Sequence, residues 1–223
     1  MKRITMLLLA LALAVLPLSS LAEDAPTVTV NGTATVSVPA DYAKVNLAVE
    51  TNAPAVADAL SENADRMAQV LKALEEAGID AEDIVTDRFY VYTQYDYTSD
   101  IHTYTVTNAL TVTVRALNNV GRVIDTALSA GANACNGITF YSDAAAQAND
   151  DALTAAIAEA RRKAELAAAA CGKALGGLVS LSESSGSYGG VRLAKAADMA
   201  AGTAILPDGL DFTASVSVTF GLK

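Results

Sequence analysis

The stretch TVTVNGTATVSV, residues 27–38, decides how the fold begins. Its apolar residues share one parity and its threonines and serine share the other, which is the alternation of a half-buried strand. The central Asn31-Gly32 pair is typical of a two-residue hairpin turn. Such a turn would pair Val30 with Thr33 and mix apolar and polar side chains on each face. We therefore predict one continuous strand, bent or bulged at Gly32.

Beyond this strand, pairs of strands alternate with helices. The predicted strands are 43–49, 84–97, 102–115, 138–140, 178–183 and 212–220, and the predicted helices are 56–74, 120–128 and 144–172. The order is ββα-ββα-βα-ββ. Hairpins and crossovers are mixed, so we predict the α+β class, with three helices packed on one face of a mainly antiparallel sheet.

Each predicted helix carries an apolar stripe with spacings of three and four residues. The first stripe is Val56, Leu60, Ala64, Met67, Leu71 and Leu74; the second is Val120, Val123, Ile124, Ala127 and Leu128; the third is Leu153, Ile157, Ala160, Ala164, Ala168 and Cys171. We expect these residues to face the sheet.

The N-terminal residues are typical of an export signal. Lys2 and Arg3 precede a short apolar run, and small residues lead up to Ala22, so we predict that residues 1–22 are a secretory signal peptide. The alternative is an anchor that is never cleaved. No later apolar run is long enough to span a bilayer, so we expect no stable membrane span after cleavage.

The composition narrows the range of partners and the make-up of the core. Acidic residues outnumber basic ones by 25 to 15, a net charge of −10, which disfavours binding to nucleic acid. Hydrophobic residues make up 52% of the chain but aromatic residues only 5%, and tryptophan is absent. The core must therefore consist mainly of alanine, valine, leucine and isoleucine.

The stretch GANACNG, residues 131–137, has the composition of a phosphate-binding loop. However, it follows a predicted helix and precedes a predicted strand, which is the reverse of the order that places free N–H groups at an anion. It also has no lysine in the required position. We interpret Gly131 as the C-terminal cap of the helix and Asn133 and Asn136 as turn residues.

At this point a resemblance becomes visible. The segments VTVNGTATVSVPADYAKVNLAVET, ALSENADRMAQVLKALEEAGIDAEDIVT, TYTVTNALTVTVRALNNVGRVIDTALSAGANACNGITF and AEARRKAELAAAACGKALG resemble the SIMPL-domain, or YggE-like, family of exported bacterial proteins. The likeness covers nearly all of 23–223, the predicted mature domain. It implies an α+β fold, export to the periplasm or cell surface, self-assembly and a link to oxidative-stress tolerance. It supplies no catalytic residues to carry over.

The chain departs from that family in having Cys135 and Cys171. In an exported protein two cysteines can form a disulfide. A helix that returns antiparallel to the strand of Cys135 would bring Cys171 back towards it. Alternatively, Cys171 is a free thiol on the apolar stripe, where cysteine behaves as a small hydrophobic residue.

Tyrosines concentrate on one predicted hairpin: Tyr90, Tyr92, Tyr95, Tyr97 and Tyr104. Tyrosine combines a large rigid surface with a polar tip and is enriched at interfaces, although it also suits strands in general. We predict that Tyr92, Tyr95, Tyr97, His102 and Tyr104 contribute to a contact between subunits of a homo-oligomer.

No residue set in the sequence indicates a reaction. His102 is the only histidine and has no partner ligands at metal-binding spacing, and no GxSxG motif accompanies it. We therefore expect no catalytic, cofactor-binding or metal-ligating residues. The predicted function is that of a non-enzymatic, self-assembling protein of the cell envelope. The alternative is a module that binds a small ligand or glycan, and the role of a predicted mobile segment at about 184–207 stays open.

Overall fold

The computed structural model describes residues 25–96, 101–184, 190–193 and 207–223. The strands are β1 (Thr27–Val38), β2 (Tyr42–Ala53), β3 (Ile84–Asp96), β4 (Ile101–Val114), β5 (Ala134–Tyr141), β6 (Leu175–Ser184), β7 (Gly190–Leu193) and β8 (Pro207–Leu222). The helices are α1 (Val56–Glu76), α2 (Val120–Ser129) and α3 (Ala145–Ala170). This confirms the predicted α+β class and element order, to which β7 adds a short strand.

The strands form two antiparallel sheets instead of the single sheet expected. Sheet I has the order β3-β4-β2-β5, and sheet II has the order β1-β8-β6, with β7 also pairing with β8. The division arises because β1 does not pair with β2, its neighbour in sequence. It pairs instead with the closing strand β8, from Thr27 opposite Gly221 to Val38 opposite Leu210.

Each sheet has its own helical cover. Helices α1 and α2 pack on sheet I, and α3 packs on β1 and β8 of sheet II. Two hydrophobic cores result, and β8 runs through both. Leu210 and Phe212 belong to the core of sheet I, whereas Val216 and Val218 belong to the core under α3. The shared strand therefore couples the two halves.

Residues 27–38 form one strand, as predicted, but Gly32 is not a bulge. The register between β1 and β8 is unbroken, with Gly32 opposite Val216. A Cβ atom at Gly32 would lie 2.0 Å from the carbonyl oxygen of Ala156 and 2.8 Å from the amide nitrogen of Ala160. Glycine is required because the backbone of α3 approaches the strand at this point. The predicted bulge was therefore wrong: the glycine makes room for the helix and does not interrupt the strand.

The buried face of α3 is a row of alanines every four residues. These are Ala148, Ala152, Ala156, Ala160, Ala164 and Ala168. Leu153 and Ile157 flank the row and are partly buried. Small side chains let the helix axis approach the sheet closely. Where the backbone of α3 comes nearest to β1, the strand has no room for a side chain and carries Gly32.

The predicted stripe of α1 was wrong in its first half. The buried residues are Ala59, Asn63, Met67, Val70 and Leu74, whereas Val56 and Leu60 are exposed. The reason is Asn63, whose amide nitrogen donates to the carbonyl oxygens of Val49 at 2.8 Å and Val106 at 3.2 Å. Because this buried polar side chain must reach two strands of sheet I, the buried face of α1 is rotated away from the face that the spacing of its apolar residues predicts. In α2, Leu128 is likewise exposed, while the other four predicted residues are buried.

Two predicted segments lie wholly or partly outside the described residues. The predicted signal peptide, 1–22, is outside them. Of the predicted mobile segment at about 184–207, the structure describes Ser184, β7 and Pro207. Across the described part of the chain, no helix combines the length and apolarity needed to cross a membrane.

Candidate functional site

The tyrosine hairpin consists of β3 and β4, with β3 at the edge of sheet I. Tyr90 pairs with Thr107 and Tyr92 with Thr105, so both tyrosines lie on the face of the sheet turned away from the helices. Their rings stack on each other with centroids 5.8 Å apart. They are 40% and 47% exposed, which leaves a large apolar area in contact with solvent.

The opposite face of β3 is also apolar and exposed, which the sequence interpretation missed. Phe89 pairs with Asn108 and Val91 with Val106, on the helix side of the sheet. They are 55% and 40% exposed because α1 covers β2 and β4 but not the edge strand. The signal was present in the sequence: residues 89–92 read Phe-Tyr-Val-Tyr, with bulky residues on both parities.

The remaining predicted contact residues lie towards the end of the hairpin. Tyr95 pairs with His102 across the ladder, and their rings are 4.6 Å apart. His102 is exposed, and Tyr95 and Tyr104 are half-buried. Tyr97 lies outside the described residues. The structure thus places Tyr92, Tyr95, His102 and Tyr104 on one hairpin, whereas their role in a subunit contact stays a prediction.

The two cysteines are free and exposed in this structure, which does not form the candidate disulfide between them. Cys135 lies in β5 of sheet I opposite Leu47, whereas Cys171 caps the C-terminal end of α3. A disulfide would require α3 to return along β5, but α3 packs on sheet II instead. The alternative of a free Cys171 thiol agrees with the structure, but its expected place on the apolar stripe was wrong, because the buried row of α3 ends at Ala168.

The stretch 131–137 is a turn only in its first half. Gly131 follows the end of α2 with a φ of 125°, which confirms its role at the helix terminus. Asn133 reaches a distant strand: its amide exchanges two hydrogen bonds of 2.7 Å with the backbone of Glu50 in β2. Asn136 lies within β5 and is not a turn residue.

A polar cleft crosses the outer face of sheet I, the face turned away from the helices. It has a volume of about 540 Å³. Its floor comes from the central strands and its walls from the two edge strands. The lining residues are Lys44, Asn46, Val85, Thr86, Asp87, Thr111, Thr113, Asn136, Gly137, Thr139 and Tyr141. The sequence interpretation assigned no role to this surface.

A row of three polar side chains runs along the floor of the cleft. Asn46 donates to the Oδ2 of Asp87 at 3.1 Å. Asn136 donates to the Oδ1 of Asn46 at 3.1 Å. At the β5 end, Tyr141 stacks on Tyr42 with centroids 5.3 Å apart, and the Nζ of Lys44 lies 5.3 Å from the Tyr141 ring centre.

The clearest charge pairing lies outside the cleft. Arg115 makes two hydrogen bonds to the carboxylate of Asp83, of 2.8 and 3.1 Å, and this contact raises the pKa of Arg115. The pair fixes the turn after β4 against the start of β3. Among the residues that the structure describes, no three His, Cys, Asp or Glu side chains converge as metal ligands.

Known proteins are similar in sequence to most of this chain. The SIMPL family, described as "Protein of unknown function (DUF541)", matches residues 28–220. The 26 kDa periplasmic immunogenic proteins of Brucella melitensis biotype 1 and Brucella abortus are each 32% identical over 164 residues, which are 70% of this chain and 66% of each relative. The match therefore spans slightly less than two thirds of their length.

A third relative comes from another organism. The uncharacterized protein YggE of Edwardsiella ictaluri is 29% identical over 162 residues, 71% of this chain and 68% of that protein. The family match covers all three helices and almost the full length of β1 and β8. The chain belongs to the SIMPL family and is an exported, periplasmic protein.

Proposed function

We propose that this protein is a non-enzymatic, self-assembling component of the cell envelope, exported by means of residues 1–22. The observation that carries the proposal is the apolar edge strand β3, whose residues Phe89 to Tyr92 are 40–55% exposed. Monomeric proteins usually protect such an edge with charges, proline or a covering element. Here the edge is aromatic on both faces of the sheet.

A second copy of the chain is the occupant that best fits this edge. An edge strand offers unpaired N–H and C=O groups on one side, and an antiparallel partner satisfies them. Two β3 strands related by a two-fold axis would pair with each other, because the same surface serves on both subunits. Phe89 and Val91 would then meet their counterparts on one face, and Tyr90 and Tyr92 on the other.

The proposed link to oxidative stress is supported by the two exposed free thiols. Exposed cysteines are accessible to peroxide and to thiol reagents, whereas buried ones are protected. Neither thiol lies on β3, so oxidation at these sites would leave the proposed assembly contact intact. The proposed role is therefore structural, with the thiols as accessory reactive groups.

The test is the solution mass of the protein purified after export, measured by light scattering on a size-exclusion column. We expect a multiple of the monomer mass, and an N-terminus at Glu23 by mass spectrometry. Val91→Lys places a charge in the middle of the proposed contact and should lower the assembled mass. Val179→Lys is the matched control, because Val179 is a 62% exposed valine on β6, an edge strand of sheet II.

Two results would contradict the proposal. One is a monomeric wild-type protein across the micromolar range. The other is an assembly that does not respond specifically to Val91→Lys. An unchanged mass would place the contact elsewhere, and an equal change by Val179→Lys would attribute the effect to added charge alone.

A further inference from the structure

We infer that the polar cleft on the outer face of sheet I is a binding site for a neutral saccharide of one or two rings. The cleft lies apart from the assembly contact proposed above, because it is lined by β2, β4, β5 and the start of β3, before Phe89.

The cleft is built by two β-bulges, one on each edge strand. In β3, Thr86 pairs with Leu110 and Arg88 with Ala109, so Asp87 is an extra residue. In β5 the register with β2 also shifts, and Asn136 is the extra residue. Gly137, next to this second bulge, has a φ of 146°, a conformation that favours glycine.

Both extra residues point to the same place. Asp87 and Asn136 come from opposite edges of a four-stranded sheet, yet each forms a hydrogen bond with Asn46 near the middle. Bulges redirect side chains and are over-represented beside functional sites. Two independent bulges that converge on one asparagine indicate that the row Asp87–Asn46–Asn136 is a constructed feature of the sheet.

The chemistry of the row favours a neutral ligand rich in hydroxyl groups. Asn46 is engaged within the row, because its amide nitrogen donates to Asp87 and to Thr111 and its oxygen accepts from Asn136. Asn136 still offers a second N–H donor and a carbonyl acceptor to a ligand, and the carboxylate of Asp87 accepts. Sugar hydroxyls donate and accept together, so they match this mixture. An anion would meet the carboxylate of Asp87, and a metal ion would find only one carboxylate among the lining residues.

The ends of the cleft differ, which would orient the ligand. The ammonium group of Lys44 lies beside the Tyr141 ring at the β5 end, whereas Asp87 lies at the β3 end. The stack of Tyr141 on Tyr42 keeps the rim rigid. A volume of about 540 Å³ lies within the roughly 300–1,000 Å³ of small-molecule sites, which suits one or two sugar rings.

The experiment is saturation-transfer difference NMR on the exported protein, a method that tolerates large assemblies. The probes are glucose, N-acetylglucosamine, maltose and N,N′-diacetylchitobiose, with inorganic phosphate and putrescine as charged competitors. We expect at least one sugar to bind saturably and neither competitor to displace it. Tighter binding of a disaccharide than of its monosaccharide would indicate the end of a glycan chain, whereas equal binding would indicate a free sugar.

Variants locate the site. Asn136→Ala should weaken binding up to about tenfold, the effect of losing one good hydrogen bond. Asn46→Ala should also weaken it, because Asn46 holds Asp87 and Asn136 in place. Asn31→Ala, the same change on the exposed face of β1 in sheet II, should leave affinity unchanged. All three variants should keep the circular dichroism spectrum of the wild type, because the substituted side chains lie outside both cores.

Three results would overturn the inference: no binding by any of the four sugars, displacement of the sugar by phosphate or putrescine, or binding that survives both Asn46→Ala and Asn136→Ala. Failure of this inference can be distinguished from failure of the assembly proposal. Val91→Lys should change the assembled mass and leave sugar affinity intact, while Asn46→Ala should do the reverse.

Discussion

At the residue scale, Gly32 shows how one position can set the distance between two elements. The strand that contains it needs alternating side chains to pair with β8, but at this point α3 occupies the space of a side chain. The local Asn-Gly pair looks like turn chemistry. The glycine is needed because α3, which follows more than a hundred residues later in the chain, packs directly against it.

We predict that Gly32→Ala lowers the free energy of unfolding by about 3 kcal/mol, at the upper end of ordinary overpacking. The new methyl group would overlap the backbone of Ala156 and Ala160, and backbone atoms cannot rotate away as a side chain can. The measurement is urea unfolding of the exported protein, monitored by circular dichroism.

Gly177→Ala is the control for this change. Gly177 lies on β6 of the same sheet, and a Cβ atom there would meet nothing within 4 Å. We expect its effect to stay within about 0.5 kcal/mol. Equal effects of the two substitutions would mean that the close approach of α3 does not determine the need for glycine at position 32.

At the element scale, α3 combines a buried alanine row with a charged outer surface. Ala156 and Ala160 face the sheet, while Glu159 between them accepts two hydrogen bonds from Arg162, of 2.8 and 2.9 Å. Lys163 lies 3.5 Å from the same carboxylate and donates to the backbone carbonyl of Asn31 in β1 at 3.0 Å. The charged cluster thus links the helix to the strand it covers.

These contacts give α3 a defined dependence on pH. The hydrogen bonds from Arg162, followed by its charge and that of Lys163, lower the pKa of Glu159 from 4.5 to about 2. Because the folded-state pKa lies below the unfolded one, the stabilisation is complete above pH 4.5 and disappears as the pH falls towards 2. We predict that Glu159→Gln lowers the urea midpoint at pH 6 and that the difference from wild type closes between pH 4.5 and 2.

The effect should be small, because Arg162 and Lys163 are solvent-exposed, Glu159 is partly so, and salt screens all three. Repeating the comparison in an Arg162→Gln background provides the control, since most of the pH-dependent difference should vanish there. A difference between wild type and Glu159→Gln that is constant from pH 6 to pH 2 would show that the carboxylate's charge does not stabilise the helix.

The elements themselves were largely predictable from sequence, but their partners were not. The alternation of Val28, Val30 and Val36 is local and predicted β1 correctly. The pairing of Thr29 with Thr219 spans 190 residues, so no local pattern could divide the strands into two sheets. The bulges at Asp87 and Asn136 were invisible for the same reason: an extra residue exists only relative to the strand opposite it.

At the scale of the whole molecule, β8 makes one cooperative unit out of two sheets. Its first half contributes Leu210 and Phe212 to the core of sheet I. Its second half contributes Val216 and Val218 to the core under α3. Ala148 of α3 and Val36 and Val38 of β1 also pack in the core of sheet I, but β8 contributes the largest buried side chain to this junction, that of Phe212.

We predict that Phe212→Ala separates the unfolding of the two halves, besides costing about 3–5 kcal/mol as a large core truncation. In a Tyr188→Phe background, which removes the tyrosine that lies in sequence between β6 and β7, tyrosine fluorescence follows mainly sheet I, because every tyrosine in the described part of the chain lies on its strands. Circular dichroism reports on both sheets. Wild type should show coincident urea transitions by the two probes. In Phe212→Ala the fluorescence midpoint should fall below the midpoint from circular dichroism.

Val218→Ala is the matched truncation on the same strand, buried entirely within the core under α3. It should lower stability, but the fluorescence midpoint should not fall below the midpoint from circular dichroism as it does in Phe212→Ala. The reason is that Val218→Ala leaves Leu210 and Phe212 in place and weakens sheet II, not the sheet whose strands carry the tyrosines. Coincident transitions with an unchanged urea dependence in Phe212→Ala would mean that other residues link the halves. The candidates are Ala148 of α3 and Val36 and Val38 of β1, which also pack in the core of sheet I.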